Sequence, residues 1–319
     1  MKSEIGDIYN RILTELEFFP IDSNGPFSSC GQTYSLSPQL GKGFYWVYSE
    51  ENLFDIKIHD FFFYEDYLFE CLMPESLSIS YYQSIAGHEV NPYRRLNANC
   101  IKTYIGGETP YKAIMHKRIP IKSIGIEILP NYYLHYLKEK FPAEYVNPYD
   151  AFSSIDETFH FLEMQRLLTQ VGEYRGEGIS AKLFYEAKVN EAVSLVVEYF
   201  HKHRKEKVHI SKKDKEQIEI VTAYINDHAS FPLTLEQLSK IACMGNTKLK
   251  KTFKQVNGCT ITQYIQQARM NQAEFLLSHT DLSIAQIAKT VGYSNPSRFA
   301  ELFSRNVGIL PGKYRKLLE

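Results

Sequence analysis

No stretch of this sequence approaches the roughly 20 consecutive apolar residues that a membrane-spanning helix needs. Residues 1–20 lack the basic flank and apolar core of a secretory signal. Cysteine is scarce, with five in 319 residues, at positions 30, 71, 100, 243 and 259. The number is odd and no CxxC pair occurs, which argues against a disulfide framework and a thiolate zinc site. The expected state is reduced thiols in a cytoplasm. No glycine-rich loop precedes a helix in the manner of a phosphate cradle. His59, His88, Glu89 and His116 lack the spacing of a metal-binding cupin, so surface or core roles are expected for the histidines. No cofactor, metal or catalytic constellation follows from these residues, and a non-enzyme is expected. A thiolate methyl-transfer repair enzyme, which would need zinc-bound cysteines, is likewise disfavoured.

Composition is ordinary, with 44% apolar and 23% charged residues, which excludes a mainly disordered or coiled-coil chain. The net charge of −1 conceals an asymmetry. Residues 211–319 carry 15 Lys and Arg against 9 Asp and Glu, a net of +6, whereas residues 1–210 carry a net of −7. Nineteen of the 23 tyrosines also precede residue 211. An acidic front and a basic back suggest two jobs, the second one directed at a polyanion.

Apolar residues at helical spacing predict a helix over 4–19. From 32 to 129 short alternating runs separated by turn residues predict strands at 44–48, 54–63, 67–72, 77–85, 101–105, 111–116 and 122–129. The alternation of Ile56-Lys57-Ile58 and of residues 124–128 turns one face inward. A β-sandwich or a small cupin-like barrel fits this texture. Helices are expected over 131–140, 154–171 and 179–204. The last has an apolar stripe of Leu183, Val189, Val193, Val196, Val197 and Phe200, a candidate homodimer contact or a cap on the β domain. The predicted organisation is a sensor or dimerisation domain over 1–205 (barrel 32–129, helices 131–204), a charged linker over 206–217, and an all-helical domain over 218–316. The class is α+β.

The helical domain repeats itself. Leu233–Ala242 aligns with Leu282–Val291 at an offset of 49, and past the turn the offset becomes 50. Each copy reads as a helix, a tight turn and a second helix, over 235–257 and 283–307, with a connector helix over 260–278. The second helices bury narrow stripes, Leu249, Phe253 and Val256 or Phe299, Phe303 and Val307. Their other faces are polar: Thr247, Lys250, Lys251 and Lys254, then Ser297, Arg298, Glu301 and Arg305. Asn295 before Pro296 is a sound helix start. Two such units fit successive major grooves of a duplex, where base edges are distinguishable. A plain helical bundle with solvated lysines is the competing reading.

Phe253-Lys254, Gly258, Tyr264, Arg269-Met270, Ala273, Leu276-Leu277, Ile284, Ile287-Ala288, Val291-Gly292-Tyr293, Phe299, Phe303, Gly308, Pro311 and Tyr314-Arg315 together resemble the signature of the AraC/XylS family of transcription regulators. The resemblance covers about 100 residues. It implies a bipartite helix-turn-helix module that binds promoter DNA, with Thr247, Lys250, Lys251, Asn295, Ser297, Arg298 and Glu301 at base-facing positions. Two departures stand out: Cys243 where the turn glycine is expected, and an acidic Glu301. Arg269, on the connector, is expected to hold structure or phosphate. Lys248–Phe253 and Gly258–Tyr264 are similar to the PchR-like branch, which implies sensing of a ferric siderophore. Within the β domain Trp46, Tyr81, Arg94 and Tyr104 are candidates for lining a ligand pocket. The expected function is a DNA-binding regulator controlled by a small molecule. The alternative is a ligand-independent regulator whose front half only dimerises or binds a protein.

Overall fold

The computed structural model describes residues 11–22, 26–50, 52–90, 93–107, 109–159, 161–204 and 210–318. The chain divides into two units, with the boundary between Lys202 and His203.

The first unit is built on antiparallel strands: β1 (Phe18–Ile21), β2 (Gln32–Leu36), β3 (Gly41–Glu50), β4 (Phe54–Phe63), β5 (Tyr67–Cys71), β6 (Leu77–Ser84), β7 (Gly87–Val90), β8 (Tyr93–Arg95), β9 (Cys100–Ile105), β10 (Tyr111–Met115), β11 (Ile121–Ile128) and β12 (Glu157–Thr158). They form an eight-stranded sheet in the order β1-β2-β3-β4-β11-β6-β9-β12 and a four-stranded sheet in the order β5-β10-β7-β8. Among the described residues these are two sheets and not a closed barrel. The alternating runs between 44 and 129 fall on strands, and β4 has the expected bounds.

A π-helical segment, Asn131–Tyr136, runs into α1 (Leu137–Lys140) and is followed by α2 (Tyr149–Ile155), α3 (Leu162–Glu173) and α4 (Gly178–Arg204). The helix expected over 154–171 is interrupted. Asp156 takes a left-handed backbone with φ 52°. Glu157 and Thr158 then pair with Lys102 and Ile101 at the edge of the large sheet. Arg94 holds the kink by donating to both Asp156 oxygens at 2.6 Å. The expected helix over 4–19 also ends early. Residues 1–10 lie outside the described residues and 11–15 are helical, but Glu17 at φ 62° turns the chain into β1.

Both faces of the large sheet are covered. One face presents Ile56, Ile58, Ile79, Ile101, Ile124 and Ile126 to Leu167, Leu168, Val189, Ala192, Val193 and Val196 of α3 and α4. Burying each such aliphatic side chain contributes roughly 1.5–3 kcal/mol. That accounts for the α4 stripe: its valines are spent inside the unit, and Leu183 alone among the six is largely exposed, at 60%. The opposite face, with Tyr45, Phe61 and Ile121, meets Ala113 and Met115 of the small sheet.

The second unit is helical: α5 (Lys212–His228), α6 (Leu235–Ile241), α7 (Asn246–Asn257), α8 (Ile261–His279), α9 (Ile284–Thr290), α10 (Pro296–Val307) and α11 (Pro311–Leu318). Residues 212–217, expected as linker, are the first turns of α5. Ser211 caps that helix by accepting from the Asp214 amide, and Ile218, Val221 and Ile225 anchor it. The lysines there line its solvent side, which is why the stretch reads as coreless. Residues 205–209 lie outside the described residues.

Candidate functional site

The repeat read from the sequence is reproduced in three dimensions. Helices α6 and α9 differ in start and end by 49, and α7 and α10 by 50. Each copy opens with a capping box at the same offset. Thr234 and Gln237 exchange side-chain bonds with each other's backbone amides in α6, and Ser283 and Gln286 do so in α9. Such reciprocal bonds satisfy amides that a helix start otherwise leaves unpaired. The Thr/Ser-x-x-Gln spacing is a start signal that the sequence carries in both copies.

The turns differ. In the first copy Cys243 sits at φ 50°, and Gly245 precedes α7 without a side-chain cap. In the second, Gly292 sits at φ 90°. A Cβ there would lie 2.5 Å from the Ser230 carbonyl oxygen, so both backbone and space demand glycine. Asn295 caps α10 with one side-chain oxygen that accepts from the Ser297 and Arg298 amides, at 2.9 and 3.1 Å. Its capping role therefore stands beside the base-facing role that the resemblance implies.

Leu249 and Phe253 in α7, and Phe299 and Phe303 in α10, are fully buried. The opposite faces are open: Thr247, Lys250, Lys251 and Lys254 on α7, and Asn295, Ser297, Arg298 and Glu301 on α10, are all exposed. Glu301 is bound by two neighbours on its own helix. Arg298 Nη1 donates to Oε2 at 2.6 Å, and Arg305 donates to Oε1. The Arg298 hydrogen bond, then the two positive charges, hold the Glu301 carboxyl below its usual range. Lys248 leans away from this face and pairs with Asp214 of α5 at 2.7 Å.

The connector α8 is held by Arg269. Its Nε donates to Ala229 O at 2.7 Å, Nη2 to Phe231 O at 3.1 Å and Nη1 to Gly292 O at 3.1 Å. The guanidinium also lies 5.2 Å from the Tyr293 ring centre. One planar group thus ties the segment after α5 to the turn of the second copy, a role suited to arginine's fork of donors.

In the first unit a cavity of about 140 Å³ lies between the two sheets. Leu13, Leu16, Phe61, Phe63, Phe69 and Met115 make its apolar wall, and Lys57, His59, Ser80, Tyr82, Lys102 and Glu127 its polar end. Lys57 pairs with Glu127 and Lys102 pairs with Glu89. Lys57 and Glu127 are diagonal neighbours on adjacent strands, within reach of long side chains. Gly125 stands opposite Lys57 in the register, and a Cβ there would meet Ser80 Oγ at 2.4 Å. Burial, then the neighbouring Lys57 charge, depress His59 to about 3. Its imidazole is neutral, with Nδ1 2.8 Å from Ser123 Oγ.

Of the four residues expected to line a pocket, Tyr104 alone lines this cavity, and Tyr81 lines a separate depression with Leu162 and Gln165 of α3. Trp46 belongs to the opposite face: it is fully buried, donates from Nε1 to Ser28 O at 2.9 Å and packs against Tyr185. Tyr81 also faces the helices, and Arg94 is engaged by Asp156. Lys57, His59, Lys102 and Glu127 were missed because strand alternation made the polar face look solvated. Only the pairing of distant strands brings the second sheet over it.

A family model described as a helix-turn-helix domain matches residues 238–317. The bifunctional transcriptional activator/DNA repair enzyme AdaA of Bacillus subtilis is 35% identical over 104 residues, 33% of this chain and 49% of that protein. The transcriptional activator RhaR of Cronobacter sakazakii is 30% identical over 101 residues, 32% of this chain and 36% of that protein. The chain thus spans less than half the length of either relative. Among solved structures, the DNA-binding domain of AdpA in complex with a target DNA is 26% identical and covers 31% of this chain and 89% of that one, with a TM-score of 0.30. With its two capped copies, its connector and this family match, the second unit carries a helix-turn-helix domain.

Proposed function

We propose that this protein is a sequence-specific, double-stranded-DNA-binding transcription regulator controlled by a small molecule held in its front unit. The observation that carries the first part is the paired outer face: Thr247, Lys250, Lys251 and Lys254 on α7 and Ser297, Arg298 and Glu301 on α10 are exposed while the reverse of each helix is buried. Lysines and arginines there supply salt-dependent phosphate attraction, and polar groups at the helix starts reach base edges. Asn295 keeps its amide nitrogen for such a contact while its oxygen caps the helix. Activation and DNA binding are in the names of the relatives; the repair activity in the AdaA name is not carried over on a match to a third of this chain.

The cavity supports ligand control over the alternative of a front unit that only dimerises or binds a protein. A drug-sized or larger ligand occupies pockets of about 300–1,000 Å³. At about 140 Å³ this cavity favours an effector smaller than a ferric siderophore. Ligand binding would act by shifting a pre-existing equilibrium in the presentation of the DNA-binding unit. We include a homodimer in the proposal, with Ile179 and Leu183 as the apolar residues of α4 left outward, at 71% and 60% exposure. The test is retardation of genomic fragments by the full-length protein, followed by sequencing of what is bound. Failure to enrich any fragment over bulk DNA would refute sequence-specific binding.

A further inference from the structure

The cavity between the sheets has a size, a charge state and an unpartnered nitrogen that together describe a ligand. Its volume of about 140 Å³ is close to the roughly 150 Å³ of an apolar protein cavity that takes up benzene, so it has room for one six-membered ring. Phe61, Phe63, Phe69 and Met115 offer that ring aromatic and thioether contacts.

The polar end carries no surplus positive charge. Lys57 faces Glu127 and Lys102 faces Glu89, each as an ion pair. Asp55 stands opposite Glu127 in the strand register, fully buried, and its Oδ2 has no hydrogen-bond partner. A carboxylate or phosphate entering here would meet carboxylates that already occupy the lysines, in a place where burying charge is costly. An uncharged molecule meets no such penalty.

The unpartnered nitrogen is on His59. The ring lines the cavity, Nδ1 is engaged with Ser123, and Nε2 is buried without a hydrogen-bond partner. If Ser123 donates to Nδ1, then Nε2 carries a proton and needs an acceptor; if Ser123 accepts, Nε2 needs a donor. A hydroxyl can be either. We propose that this cavity binds an uncharged six-membered ring bearing one hydroxyl, with the ring against the phenylalanines and the hydroxyl on His59 Nε2. The assignment rests on the reading of the front unit as a sensor and names its ligand class.

The test is the melting of the full-length protein in the presence of phenol, toluene or benzoate at millimolar concentration. The transition is followed by fluorescence of Trp46, the sole tryptophan. Trp46 packs on the helix-covered face of the sheet and not on the cavity, so it reports unfolding of this unit without contacting the ligand. Phenol is expected to raise the midpoint by about 2–4 °C, toluene by less than half as much and benzoate not at all. In H59F the phenol shift should fall to that of toluene, with the toluene shift kept. An equal effect of phenol and toluene on the wild type, a larger effect of benzoate, or no effect of any of the three overturns the assignment. The wild-type panel decides this even if H59F fails to fold. Absence of all three shifts leaves DNA retardation and the response to other effectors intact; a phenol shift with unchanged operator affinity supports the site and counts against the sensor.

Discussion

Arg269 Nη1 lies 3.1 Å from Gly292 O, and this bond joins the connector helix to the turn of the second helix-turn-helix copy. The same guanidinium reaches Ala229 O and Phe231 O, so one side chain closes three carbonyls on two segments. Arg269→Ala should therefore destabilise the helical unit by roughly 2–3 kcal/mol, because partly buried carbonyls lose a charged donor. Arg269→Lys should recover little, since one ammonium cannot span the fork. Denaturant melts of the full-length protein followed by far-UV circular dichroism would check this; wild-type stability in the lysine variant would contradict it.

The equivalent turn positions Cys243 and Gly292 should respond in opposite directions. Cys243 is exposed at φ 50°, where an L side chain is strained, so Cys243→Gly should stabilise by about 0.5–1 kcal/mol after the entropic cost of glycine. Gly292→Ala must move the Ser230 carbonyl and should cost more than about 2 kcal/mol. Paired melts of the two variants settle the signs.

Lys250→Ala with Lys251→Ala should weaken operator binding. The dependence of log K on log salt should become shallower by about 0.9 for each phosphate that the variant no longer neutralises. A titration at several salt concentrations provides the measurement, and an unchanged slope would remove these lysines from the interface.

Glu301 restrains Arg298 and Arg305 and subtracts charge from the exposed face of α10. Glu301→Gln should raise affinity for random duplex and steepen its salt dependence by about one unit, while narrowing the preference for the operator. Competition between operator and random DNA would measure it; no change in the ratio would show that Glu301 is bystander charge.

Asp55 provides a pH signature. Burial, then the Glu127 charge opposite it, push its carboxyl up to about 7 from 3.8. A raised carboxyl is protonated in the folded state while still ionised in the unfolded chain. Its contribution to stability is therefore complete below about 4 and is lost as pH rises towards 7. Asp55→Asn should thus stabilise the front unit relative to wild type by roughly 2–4 kcal/mol more at pH 8 than at pH 4. His59, depressed to about 3, works the other way, losing stability as pH falls below 6.5. The variant comparison isolates Asp55 from it. Equal gains at both pH values, read from Trp46 fluorescence, would contradict the argument.

The helical unit was largely readable because its signals are local. A stripe at helical spacing identifies α7 and α10, and the repeat supplies their register and their exposed faces. The runs for β4 and β11 were readable for the same reason. What escaped depends on distant pairing. β1 follows a one-residue left-handed turn at Glu17, and the two-residue β12 exists through its bonds to β9. The cavity escaped for a related reason. Lys57 and Glu127 alternate with isoleucines as a solvent-facing row would, and nothing near them in the chain announces the sheet that covers them. Trp46 was drawn into the expected pocket by its chemistry alone, although the strand pleat assigns it to the other side.

The extra residue between α9 and α10 carries a practical lesson for engineering. A transplant of the outward side chains of one reading helix onto the other should follow the shift of 50 and leave the preceding turn native. Grafting by the earlier shift of 49 would rotate every exchanged side chain by about 100° around its axis, and drive Lys250 and Lys254 onto the buried positions of Phe299 and Phe303.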